Sequence, residues 1–261
     1  MADLQSANPV DTPLEVNVKY HCDDGDLLPD PLLYRQLVGS LNYLTITRPD
    51  ISFVVQQVNQ FMHSPRHLHL AAVRRIIRYL KGSSHRGLFF SIVNSPKLSA
   101  YSDANWAGCP NTRRSVTGWC MFLGSSLISW KSKKQARVSK SSTESEYCAM
   151  SAACSEIIWL HGLLAELGFP QTKPTSLYAD NTSVIQIVTN HVFHECTKHI
   201  EVDCHSICDA YDDQLISLPH VSTQLQIANI LTKAVPRPRH QFLVGKLMLI
   251  DQPHQFEGGC E

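Results

Sequence analysis

The chain lacks any uninterrupted apolar run near the ~20 residues that a membrane helix needs, so no membrane partner is expected. It lacks a leader of the secretory kind, and its nine cysteines contain no Cys-x-x-Cys pair. An odd set of unpaired spacings argues for reduced thiols and for an intracellular protein, cytoplasmic or nuclear and not secreted. Net charge is missing as well, since 23 basic residues balance 23 acidic ones, and the total therefore says nothing about partners. The distribution says more. Between Asp103 and Glu144 there is no acid, while Arg113, Arg114, Lys131, Lys133, Lys134, Arg137 and Lys140 all fall there. Such a stretch is often a solvated charged loop. Lying between two candidate site acids, it better suits contact with the phosphates of a polyanion.

Three carboxylates stand in distinctive local patterns. Asp103 closes the run Leu-Ser-Ala-Tyr-Ser-Asp, Asp180 closes Ser-Leu-Tyr-Ala-Asp, and Glu146 follows Ser-Ser-Thr-Glu-Ser in the first turn of a predicted helix. Each has a plain structural reading. Glu146 fits a capping box with Thr143, Asp180 a helix cap, and Asp103 a strand-end turn. Jointly, acids at two strand ends and one helix start can converge on divalent metal, which takes hard anionic oxygens.

Along the chain, residues 1–30 hold seven acids against one lysine and read as an extended or mobile lead-in. Apolar residues at three- and four-residue spacing predict helices over 30–62, interrupted at Thr47-Arg48-Pro49-Asp50, and over 67–81. Arg74, Arg78 and Lys81 form a basic stripe on the latter, fit either for solvent or for tracking phosphates. Strands are predicted over 88–93, 97–103, 117–123 and 127–131, the last two joined at Gly124-Ser125-Ser126. A long helix over 143–167, stopped by Gly168 and Pro170, is followed by a strand over 175–179 and a helix over 182–189. A helix over 200–211, a strand over 215–218 and a final helix over 223–234 complete an α/β or α+β unit.

Several of these segments together are specific. Tyr-Ser-Asp-Ala-Asn-Trp-Ala-Gly (101–108), Val-Thr-Gly-Trp-Cys (116–120) and Ile-Ser-Trp-Lys-Ser-Lys-Lys-Gln (128–135) resemble the ribonuclease H domain of copia-type LTR-retrotransposon polyproteins. So do Ser-Ser-Thr-Glu-Ser-Glu-Tyr (141–147), Leu-Tyr-Ala-Asp-Asn (177–181) and the stretch 197–205. Leu-Val-Gly-Ser-Leu-Asn-Tyr-Leu (37–44) and Thr-Arg-Pro-Asp-Ile-Ser (47–52) resemble the segment that links reverse transcriptase to that domain. The resemblance covers about residues 10–250. It implies an RNase H-like α/β fold over 93–240: a mixed five-stranded sheet, its first three strands antiparallel, with helices packed on the faces. A mainly helical connection segment (31–92) would precede it and a tail (241–261) would follow. The implied activity is cleavage of the RNA strand of an RNA–DNA hybrid duplex, with the palm and fingers of a reverse transcriptase as a further partner. No small-molecule cofactor is implied.

By position, the resemblance makes Asp103, Glu146 and Asp180 ligands of a two-metal Mg²⁺ (or Mn²⁺) site. Where the family has Ala-Asp-Ile before Thr-Lys, this chain reads Ala228-Asn229-Ile230-Leu231-Thr232-Lys233, so the fourth ligand is an amide. Asn105 likewise stands where relatives commonly carry Asp. Losing two charges around a cation pair should weaken hybrid cleavage without abolishing it. Asn181, Ser125 and Ser142 are candidate backbone contacts, and His220, in the loop before the last helix, is a candidate product-release histidine.

Two signals point elsewhere without force. The cluster His194, Cys196, His199, Cys204, His205 and Cys208 has no zinc-site spacing. Tyr20-His21-Cys22-Asp23-Asp24 has one residue too many for a Tyr-x-Asp-Asp polymerase motif, so no polymerase core is present in this reading. Two functions from different classes follow: a metal-dependent hybrid nuclease, or a nucleic-acid-binding remnant that keeps the basic surface without turnover.

Overall fold

The computed structural model describes residues 7–92, 95–190 and 201–251, with side chains undescribed at 201–205. The chain divides into two compact units, one of Met1–Phe90 with Ala234–Glu261 and the other of Ser91–Lys233.

The first unit is helical, as its periodicity requires. Helices α1 (Leu32–Leu44), α2 (Ser52–Asn59) and α3 (His67–Gly82) bury Tyr34, Val38, Leu41, Val55, Val58, Val73 and Ile76. The Thr-Arg-Pro-Asp motif has a structural task. Arg48 forks onto Asp50 at 3.0 and 2.7 Å and also reaches the Ser83 carbonyl at 2.9 Å, while the Tyr79 hydroxyl donates to Asp50 at 2.5 Å. This buried pair is stitched at every polar atom that a fork can reach. Several expectations change here. The lead-in is extended but anchored from residue 7: Arg78 donates to the Asn8 carbonyl, Lys81 to that of Ala7, and Arg75 pairs with Glu15 at 2.8 Å. Arg78 and Lys81 of the basic stripe thus hold this chain's own backbone. The expected strand over 88–93 is instead β1 (Arg86–Leu88), outside the main sheet. Of the expected tail over 241–261, the described residues 241–251 lie in α7 (Arg237–Lys246) and β7 (Leu249–Asp251), and β7 pairs antiparallel with β1.

The second unit carries the sheet. β2 (Leu98–Asn105), β3 (Val116–Leu123) and β4 (Ser126–Lys134) form an antiparallel meander. A two-residue turn joins the last two, with Gly124 at φ 60°, the left-handed conformation such hairpins require. Helix α4 (Ser142–Glu166) crosses back to β5 (Thr175–Tyr178), which pairs parallel to β2. After α5 (Thr182–Thr189) and α6 (Glu201–Asp212), β6 (Ile216–Ser217) adds parallel to β5. The spatial order is β4-β3-β2-β5-β6. By length and composition α4 could cross a bilayer. Here its apolar stripe, Met150, Ala153, Ile157, Leu160 and Leu164, packs into one core with Leu98, Ala100, Met121 and Leu177 of the sheet. The expected terminal helix over 223–234 is only a short 3₁₀ turn, Ile227–Leu231. All five of its residues are buried, so it has no polar face on which a longer amphipathic helix could lie.

Candidate active site

The site forms where the sheet changes from antiparallel to parallel. Asp103 lies within β2, buried, with its Cα partnered to Gly118 of β3. Asp180 lies two residues past the end of β5, the parallel neighbour of β2. Glu146 projects from the second turn of α4, one turn later than expected, and the capping is done by other residues: Ser141 Oγ accepts from the Glu144 amide, and the Glu144 carboxylate accepts from the Lys140 amide at 2.7 Å. In the Glu-Ser-Glu motif the first glutamate therefore caps, leaving the second for the site. Asp180 is likewise not the cap of α5, since Asn181 fills that place by accepting from the Val184 amide.

One carboxylate oxygen from each of Asp103, Glu146 and Asp180 lies within 4.8 Å of the others. Nothing in the local sequence could hold three carboxyl groups so close, two of them buried; the sheet order does. The electrostatic consequence is large. Burial pushes the Glu146 carboxyl up to about 9, with the charges of Asp103 and Asp180 adding to it and the Ala104 backbone opposing. Burial also raises Asp103, against the pull of Lys233 and the Thr232 hydroxyl. Glu146 Oε2 has no hydrogen-bond partner, nor has Asn229 Oδ1, and both are buried. A buried acceptor without a donor on Glu146, a member of a cluster of hard carboxylate oxygens, fits a divalent cation. The three carboxylates would hold it.

The expected fourth position is connected to this cluster by a short chain of bonds. Asn229 Nδ2 donates to the Thr223 carbonyl at 3.0 Å, and the Thr223 hydroxyl donates to Asp180 at 2.8 Å. Asn105 Nδ2 donates to the Thr232 carbonyl at 3.2 Å. Both amides thus use an N–H that a carboxylate would not have. Sequence reasoning missed three residues here. Thr232 donates its hydroxyl to Asp103 Oδ2, Lys233 Nζ lies 3.5 Å from the same oxygen, and fully buried Gln226 donates to the Ser102 carbonyl at 2.9 Å, tying the 3₁₀ segment to β2. The signal was present: a hydroxyl and a cation directly after a buried apolar run, in the same motif as Asn229. His220 is exposed beside the site, bridged through its backbone to Ala179, the neighbour of Asp180.

Of the basic residues, the structure gathers five. α4 lies over β2, β3 and β5, and between α4 and the edge strand β4 opens a groove of about 990 Å³. Lys131, Lys133, Lys134, Arg137 and Lys140 line it, with Trp119 among its apolar walls. The three lysines 131, 133 and 134 lie on β4, which runs three residues further than expected, and not in a loop. Arg113 and Arg114 are exposed on the loop after β2 and do not line the groove. Most of the His- and Cys-containing cluster falls outside the described residues; Cys208 is buried against the Tyr147 hydroxyl.

No family model matches the chain. It is 43% identical over 245 residues to the retrovirus-related Pol polyprotein from transposon RE1 of Arabidopsis thaliana, covering 94% of this chain and 17% of that one. It is 38% identical over 248 residues to the corresponding polyprotein of transposon TNT 1-94 of Nicotiana tabacum, covering 92% and 18%. The chain thus spans under a fifth of the length of these polyproteins. Among solved structures, LC11-RNase H1 in complex with an RNA/DNA hybrid is 11% identical, with 52% of this chain and 94% of that chain covered and a TM-score of 0.40. It is the strand order, three antiparallel strands and then two parallel ones, that makes the second unit RNase H-like. Homologues at 38–43% identity over nearly the whole of this chain are copia-type retrovirus-related Pol polyproteins, and the chain is similar to one segment of them.

Proposed function

We propose that the second unit is a ribonuclease H-type nuclease that hydrolyses the RNA strand of RNA–DNA hybrids, using Mg²⁺ or Mn²⁺. The observation that carries this reading is the convergence of Asp103, Glu146 and Asp180 oxygens within 4.8 Å. A divalent ion held there supplies a Lewis acid for the phosphodiester and lowers the pKa of a water. The chain's own residues do the rest. Thr232 and Lys233 fix the Asp103 carboxylate, Thr223 fixes that of Asp180, and burial keeps bulk water from screening them. The groove lysines and Arg137 take backbone phosphates on a duplex recognised by shape and 2′-hydroxyls more than by bases. In the context of a polyprotein, palm and fingers of a reverse transcriptase would share the same hybrid.

A binding-only remnant remains the second reading because Asn229 stands in the fourth position. It accounts for the basic groove but gives three converging carboxylates, two of them buried, no purpose. The two separate on turnover. A labelled hybrid should be cut in Mg²⁺ or Mn²⁺, and Asp103→Asn should still bind it without cutting. Binding without cleavage by the unaltered chain, in either ion, would leave only the remnant.

A further inference from the structure

The lead-in of the first unit is held by side chains and not by its backbone. Among the described residues, 7–19 exchange no backbone–backbone hydrogen bond with the rest of the chain. Cations hold them instead. On α3, Lys81 donates to the Ala7 carbonyl at 3.1 Å, Arg78 to that of Asn8 at 2.7 Å, and Arg75 to Thr12 Oγ1 at 3.2 Å and to Glu15 at 2.8 Å. From α7, Arg237 reaches Asp11 at 3.1 Å. The two helices adjoin where His240 stands edge-on to Tyr79, with 5.3 Å between ring centres, and the extended segment lies along their seam. Pro9 fits against Gly82, where an added Cβ would meet its ring at 2.9 Å. Pro13 and Leu14 are buried, whereas Asn8, Pro9 and Asp11 are exposed.

Four cations here meet two acids, Asp11 and Glu15. Arg78 and Lys81 donate to neutral carbonyls, and Arg75 Nε is buried without an acceptor. A phosphate oxygen would serve all three better, because it adds a full negative charge to the hydrogen bond. Arg75, Arg78 and Lys81 recur every third residue, about 4.5 Å apart along the helix axis. Such a ladder suits a polymer of anions more than one small ion. The seam seats one extended chain, so it admits a single strand and not a duplex. We propose that the seam between α3 and α7 is a second nucleic-acid surface, for the phosphates of a single strand, and that residues 7–12 are its built-in competitor. The segment leaves as a strand arrives, while Pro13 and Leu14 keep its root in place. This surface is independent of the nuclease reading of the second unit.

The probe is a short fluorescent oligothymidylate in chelator, added to a chain whose other basic groove is silenced by Lys131→Gln, Lys133→Gln and Lys134→Gln. Removing residues 1–12 should tighten binding roughly tenfold, the gain when a competent state passes from about a tenth populated to fully populated. In that shortened chain, Arg75→Gln with Arg78→Gln should lower the salt slope by about 1.4, two phosphate contacts at about 0.7 each. Shortening also removes acids, so a tether of unchanged charge is the control. Pro9→Cys with Gly82→Cys places two thiols where a disulfide closes once the segment yields by about 1 Å. Oxidised, this variant should lose the oligonucleotide, and reduction should restore it. Equal affinity of its oxidised and reduced forms would overturn the proposal even if the shortened chain fails to fold. So would a shortened chain that binds no more tightly, a salt slope that the two arginines do not change, or polyglutamate bound as tightly as the oligonucleotide.

Discussion

Replacing Gly118 with alanine should damage the site without touching a charged residue. Gly118 faces Asp103 across β2 and β3. A Cβ built there would lie 2.6 Å from Thr232 Cγ2, 2.8 Å from Leu231 Cβ and 3.1 Å from the Leu231 carbonyl carbon. Leu231 is fully buried, so neither it nor its backbone can simply step aside. The 3₁₀ segment would have to retreat by roughly 0.5–1 Å, and overpacking of that kind costs about 1–3 kcal/mol. The retreat would also pull the Thr232 hydroxyl from Asp103, a hydrogen bond to a charged group and so about 1.5–3 kcal/mol. Because one loss partly relieves the other, and alanine in a strand recovers about 0.5–1 kcal/mol of chain entropy, a net destabilisation of about 2–4 kcal/mol is expected. Urea unfolding at constant m-value measures it, and Mn²⁺ affinity should fall in parallel. The sign is diagnostic, since Gly→Ala in an open strand stabilises. A Gly118→Ala protein as stable as the unaltered chain would refute the reasoning. Adding Thr232→Ser, which deletes the nearest methyl and keeps the hydroxyl, should recover part of the loss in a double-mutant cycle.

The raised Glu146 carboxyl predicts a pH dependence. The folded chain holds that proton up to about 9 and the unfolded chain only to the usual 4.5, so metal-free stability falls as pH rises between those values. Urea midpoints in chelator should drop between about pH 5 and about pH 8, by up to roughly 1.4 kcal/mol per pH unit, and Mg²⁺ should restore them. In Glu146→Gln the slope should flatten; an unchanged slope would assign it to other groups. In the first unit, Asp50→Asn would leave the buried Arg48 charge uncompensated and should cost about 3–5 kcal/mol. A loss below about 1 kcal/mol would mean that water reaches the guanidinium.

Much of the site was legible because local rules place its parts. Alternation marks β2, β3 and β5, so the acids at their ends are recognisable, and Ser141 with the two glutamates marks the start of α4. Asn229 and Asn105 were visible as departures from a family pattern, but what their amides do was not. Asn105 donates to a carbonyl 127 residues away and Asn229 to one 6 residues away, in bonds that no spacing rule encodes. The 3₁₀ turn was misread as a helix because its apolar residues repeat like those of a helix, while burial on all sides decides its form. β1 left the main sheet for the same kind of reason: its partner, β7, comes from the far end of the chain.

By itself, then, the sequence determined which side chains could serve a metal site, most of the strands and helices that carry them, and the likeness to retrotransposon Pol polyproteins. Tertiary structure decided how the acids are held. Parallel pairing of β5 beside β2 brings Asp180 to Asp103, and the bare Cα of Gly118 lets Thr232 and Lys233 reach the same carboxylate. Periodicity reports the burial of one segment at a time, whereas a charge cluster depends on several segments meeting at one point.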